Sequence, residues 1–157
     1  MSEINDLGLQ EVWPLMKEQI DAGKSVKFCP GGKSMLPLIR PGVDRVLIKK
    51  APEKLKKYDL PLYRRENGNF VLHRVVGVKN GTYTMRGDNQ NVLERGIKPE
   101  QILAVAEGMF KDEEYISFSG VKYWMYCHLR HFRLELSRLK RILKKTLKKV
   151  KKIEKKY

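Results

Sequence analysis

Between residues 44 and 118 the chain is a succession of short β-rich runs divided by turn signals. No other feature limits its possible folds as much. Val46-Leu47-Ile48, Leu60–Tyr63, Phe70–Val78, Thr82–Met85, Ile102–Ala106 and Tyr115–Phe118 are each too short for a helix and rich in β-branched or aromatic residues. Asn67-Gly68 and Asn80-Gly81 fall between apolar runs, which is the signature of a two-residue hairpin. A type I′ turn needs positive φ at both central positions, and Asn and Gly tolerate it. A helical turn is expected near Asn91–Glu100. Ahead of this block, residues 8–22 carry Leu9, Val12, Leu15, Met16 and Ile20 near helical spacing, with Gly23 as the stop. Pro14 lies inside that pattern and predicts a late start or a kink. Residues 25–29 read as a short strand, closed by Pro30-Gly31-Gly32.

The pattern changes after residue 121. Leu129, Phe132, Leu136, Leu139, Leu143, Leu147, Val150, Ile153 and Tyr157 recur at steps of three and four, and Lys and Arg fill the other faces. This is a long basic amphipathic helix. Charge divides at the same point. Residues 121–157 hold 14 Lys or Arg against 2 Asp or Glu, while residues 1–120 hold 19 against 16. The tail therefore carries twelve of the fifteen net positive charges, which directs it to an anionic partner. An anionic membrane surface, contacted through 122–157, is favoured over packing on the body or on a second copy, and nucleic acid is the least favoured. Two regions are expected: 1–120, a β domain with its N-terminal helix, and 121–157, a helical tail.

Other classes are excluded. Cys29 and Cys127 are too few and too far apart for a disulfide framework or a metal-ligand spacing. The N-terminus is acidic with no apolar run behind it, and no stretch approaches the ~20 apolar residues of a membrane span. No metal or cofactor is expected. The expected location is cytoplasmic, at most peripheral on the inner membrane face.

Three residues are candidates for chemistry. Ser34 sits in Gly32-Lys33-Ser34-Met35-Leu36-Pro37, where small neighbours leave room for a substrate and main-chain N–H groups are free to meet an oxyanion. His73 is the only histidine of residues 1–120 and lies in the run 70–78. Alternation predicts Val71, His73 and Val75 on one face, with Leu72, Arg74 and Val76 on the other. A neutral imidazole is suited to take a proton from a serine. Asp88, in Arg86-Gly87-Asp88-Asn89-Gln90, could accept from imidazole Nδ1 and fix its tautomer. Read singly, each of the three is an ordinary turn or strand residue.

Taken in order, these segments resemble the signal peptidase and LexA-like superfamily of serine peptidases. The resemblance rests on Gly32–Pro37, Asp44–Ile48, Tyr58–Arg64, His73–Gly77 and Arg86–Gln90, and spans about residues 25–108. It implies a mainly β fold of coiled antiparallel strands. It also implies a serine endopeptidase that cuts an extended leader or precursor peptide. Ser34 would be the nucleophile, and His73 the base, as in the archaeal and endoplasmic-reticulum branch. Asp88 would be the acidic residue, and Gly32, Lys33 and Met35 would surround substrate and oxyanion. The chain looks closest to small bacterial members without an anchor. It departs from the pattern at Gly32, where signal peptidases usually carry a hydroxyl. Val43 intrudes before Asp44, and Tyr58 stands where the family has glycine. Two alternatives accompany this reading. One is a self-cleaving regulator cut at Ala22-Gly23; the other is a non-catalytic peptide- or membrane-binding module on the same fold. Oligomeric state is not legible.

Overall fold

The computed structural model describes residues 6–154; the acidic start at 1–5 and Tyr157 lie outside them. Helix α1 (Asp6–Asp21) opens the fold. It runs through Pro14 and begins early, so the late start predicted from that proline is not found. Its apolar face explains this: Leu9, Met16 and Ile20 are buried on both sides of the proline. Gly23, at φ +81°, ends the helix in a Schellman motif. There the Gly23 N–H donates to Ile20 O and the Lys24 N–H to Gln19 O, both at 3.0 Å.

Among the described residues nine strands follow: β1 (Val26–Phe28), β2 (Arg45–Lys49), β3 (Pro61–Arg64), β4 (Phe70–Leu72), β5 (Arg74–Lys79), β6 (Thr82–Arg86), β7 (Glu94–Ile97), β8 (Ile102–Lys111) and β9 (Glu114–Ser117). All pairings are antiparallel. One sheet runs β1-β2-β8-β3-β4, with β9 also on β8; a second runs β5-β6-β7. The domain is thus mainly β, with a short N-terminal helix and a long C-terminal one.

The run at 70–78 is two strands, because the chain leaves the first sheet after Leu72 and enters the second at Arg74. His73 is the crossing residue. Strict alternation fails there: Leu72, His73, Arg74 and Val75 are all buried. Asn80-Gly81 forms the expected two-residue turn, with φ of +51° and +71° between the paired Lys79 and Thr82. Asn67-Gly68 does not. Arg65 N–H bonds Asn69 O across a longer loop, and only Gly68 takes positive φ. The segment expected to be a helical turn contains β7, which pairs with β6; a single 3₁₀ turn follows at Pro99–Gln101.

Two cores result. Leu9, Ile20, Met35, Ile48 and Leu62 join α1 to the first sheet. Tyr63, Val75, Met85 and Val105 fill the space between the sheets.

Helix α2 (Gly120–Glu154) is the predicted tail helix. Its first turns are docked on the body. Buried Arg74 donates from Nη1 to the Tyr123 hydroxyl at 2.6 Å and to Cys127 Sγ at 3.0 Å. Buried Arg86 donates to Glu135 at 2.7 Å and stands 2.8 Å from His131 Nδ1. Cys29 and Cys127 are both free thiols. No helix among the described residues is long and apolar enough to cross a membrane.

Candidate active site

Ser34 lies in a short 3₁₀ turn, Lys33–Met35, between the extended residues Gly32 and Leu36. Met35 is buried and pins the turn to the core; Gly32 and Lys33 are exposed at its mouth. The Gly87-Asp88-Asn89 segment holds the turn from the other side. The Asn89 N–H donates to Ser34 O at 2.7 Å, and Asn89 Nδ2 reaches Lys33 O at 3.3 Å. Gly87 is required by this approach. A Cβ there would stand 2.7 Å from Ser34 O and 3.0 Å from Ser34 Cβ, closer than real side chains come.

Ser34 and His73 line one cleft of about 190 Å³, together with Gly32, Met35, Arg65 and Gln90. Phe28 and Cys29, at the end of β1, form one wall; Phe70, Val71 and Leu72 of β4 form the other. These are the two outer strands of the first sheet, so both of its ends border the cleft. Leu9 of α1 and Leu62 of β3 add apolar lining.

The imidazole of His73 is almost fully buried. Its Nδ1 lies 3.0 Å from Glu94 Oε1, and the Tyr63 hydroxyl stands 3.2 Å from the same nitrogen. Glu94 is itself gripped by Arg65, whose Nε and Nη2 donate to the two carboxylate oxygens at 2.8 and 2.6 Å. Burial lowers the pKa of His73 below the ordinary 6.5 and outweighs the opposing pull of Glu94. Burial would raise Glu94, but the Arg65 hydrogen bonds, His73 and Tyr63 together hold it below the ordinary 4.5. At neutral pH the pair is therefore a neutral imidazole beside a carboxylate, joined by a hydrogen bond and not an ion pair. A carboxylate can only accept, so Nδ1 carries the hydrogen and Nε2 the lone pair. No buried side-chain nitrogen or oxygen among the described residues lacks a partner, and Nε2 has no hydrogen bond among them. His73 is among the residues that line the cleft.

Asp88 is elsewhere. Its carboxylate forms a two-point pair with Arg74, from Nε at 2.8 Å and Nη2 at 2.7 Å, and accepts from the Tyr126 hydroxyl at 2.9 Å. Its main-chain oxygen accepts from Arg130 Nε at 2.8 Å. The acceptor at His73 Nδ1, the place expected for Asp88, is Glu94. Asp88 instead fixes Arg74, the residue after His73, and ties α2 to the segment that supports Ser34.

The sequence reading missed Glu94, Tyr63, Arg65 and Gly87. The available signal for Glu94 was a second carboxylate six residues past Asp88, in a stretch with weak strand character. Of the departures from the family pattern, Tyr58 does take the left-handed conformation that glycine favours, at φ +79°. It is held there by its N–H to Val75 O at 2.8 Å and by its ring against His128, 4.6 Å between centroids. Ala22-Gly23 closes α1 and is folded into the helix end, not extended. No family model, curated protein or solved structure matches this chain.

Proposed function

We propose that the protein is a serine endopeptidase of the signal peptidase and LexA-like type, acting on an extended leader or precursor peptide. The observation that carries the reading is a cleft shared by Ser34 and a buried, neutral His73 whose Nδ1 is committed to Glu94. That arrangement leaves Nε2 as the base. Ser34 Oγ attacks the scissile carbonyl as Nε2 takes its proton, and the imidazolium formed is stabilised by Glu94. His73 then returns the proton to the leaving amine. Water, activated by the same nitrogen, hydrolyses the ester on Ser34. Oxyanion stabilisation rests on main-chain N–H groups, chiefly that of Ser34, since Gly32 offers no hydroxyl. Glu94, not Asp88, is the orienting carboxylate in this reading; Asp88 acts through Arg74 and the Ser34 turn.

The substrate fits as a strand. Edges of β1 and β4 border the cleft, and unpaired strand edges recruit an extended chain by main-chain hydrogen bonds. The cleft's small volume favours small residues at the cut. Cleavage in trans is favoured over self-cleavage at Ala22-Gly23, because that dipeptide would first have to unwind from the cap of α1. A peptide library digested by wild type, Ser34→Ala and His73→Ala and read by mass spectrometry tests the proposal. Cuts made by wild type alone are expected. Equal cleavage by all three overturns it.

A further inference from the structure

Helix α2 docks with its polar face and shows its apolar face to the outside. Tyr123, Tyr126, Cys127 and Arg130 meet Arg74 and Asp88. Leu129 follows Cys127 by two residues and Phe132 follows Arg130 by two, which on an α-helix is a rotation of about 200°. Both therefore point away from the body. Leu139 and Leu143 continue the same stripe, and all four are more than half exposed. This reverses the ordinary arrangement, in which a helix buries its apolar stripe on its own domain. An exposed apolar stripe this long marks an interaction surface.

Charge selects the occupant. Arg133, Lys140 and Lys144 border the stripe, and Glu135, the one acidic residue of α2 before Glu154, is occupied by Arg86. A second copy laid stripe to stripe would set these cations against their equals. Nucleic acid would use the cations and leave the stripe in water. An anionic bilayer satisfies both faces together: acyl chains take the stripe and headgroups take the bordering Lys and Arg. Trp124, half exposed at the start of the helix, is suited to the headgroup level. We propose that α2 lies in the plane of an anionic lipid surface on its Leu129–Leu143 stripe, carrying the β domain on its opposite face.

Sedimentation of the full chain with vesicles tests this, using phosphatidylcholine alone and phosphatidylcholine with roughly one third phosphatidylglycerol. Partition at least about tenfold stronger on the anionic vesicles, and weakened by salt, is expected. Phe132→Ser with Leu139→Ser, both exposed, should lower that partition about tenfold or more while circular dichroism stays unchanged. Three results overturn the proposal. The first is vesicle binding indifferent to the stripe substitutions, which is adsorption by charge alone. The second is no vesicle binding with a dimer in light scattering that the stripe variant dissociates. The third is duplex DNA that displaces the vesicles and binds the stripe variant as well as wild type.

Discussion

Glu94 Oε1 lies 3.0 Å from His73 Nδ1, across 21 residues of sequence, and brings a strand of the second sheet to the residue where the chain leaves the first. The carboxylate at Nδ1 is thus Glu94, where Asp88 was expected, and Asp88 pairs with Arg74 instead. Glu94 orients the imidazole. Asp88 holds the scaffold.

Glu94→Gln tests the first role. The amide keeps the shape of the side chain but can offer Nδ1 a donor, which favours the wrong tautomer. A fall in kcat of about 100-fold or more is expected, with KM little changed. Steady-state kinetics on any peptide the wild type cuts provide the measurement.

Asp88→Asn tests the second. Arg74 would stay buried with its charge uncompensated, and breaking such a pair costs about 3–5 kcal/mol. The expected result is a lower urea midpoint, with faster hydrogen exchange across the docked turns of α2. Loss of activity without loss of stability would instead return Asp88 to the chemistry.

Gly87→Ala places a methyl group against the main chain of Ser34. The serine turn must move, at a cost of about 1–3 kcal/mol for overpacking. A displacement of this kind also misaligns a nucleophile, so kcat should fall at least about tenfold. Urea titration and kinetics on the same preparation report both effects.

Acid should act through His73. Its folded pKa is below the ordinary 6.5, so above that value the ring is neutral in folded and unfolded chains alike. As pH falls below it, the unfolded chain takes up the proton first and stability declines. The base is protonated only lower still. The acid limb of kcat/KM should therefore fall below pH 6.5, and His73→Gln should flatten the loss of stability between neutral pH and that limb. Glu94, held below 4.5, adds a further loss of stability in more acidic solution. An acid limb above 6.5 would contradict the burial of the ring.

Local rules made much of this legible. Asn80-Gly81 specified its turn because both residues take positive φ, as the hairpin requires. Gly23 capped α1 where the apolar period stopped. Ser34 and His73 both line one cleft. What stayed hidden was set by packing between distant elements. Glu94-Arg95-Gly96-Ile97 has little strand character of its own and becomes β7 through pairing with β6. The alternation at 70–78 gave no warning of the crossing at His73, since a strand changing sheets buries both of its faces. The direction of the α2 stripe was equally hidden. Periodicity identifies an apolar face but not the neighbour it meets, and buried Arg74 and Arg86 recruit the polar one.

The central claim is that Ser34 is a nucleophile activated by His73. The direct measurement is acid quenching of the protein mixed with a peptide it cleaves, followed by mass mapping of the chain. The amino-terminal fragment of the peptide esterified to Ser34, and absent in His73→Ala, is the predicted result. A fragment attached to any other residue, or product formed by Ser34→Ala at the wild-type rate, would contradict it.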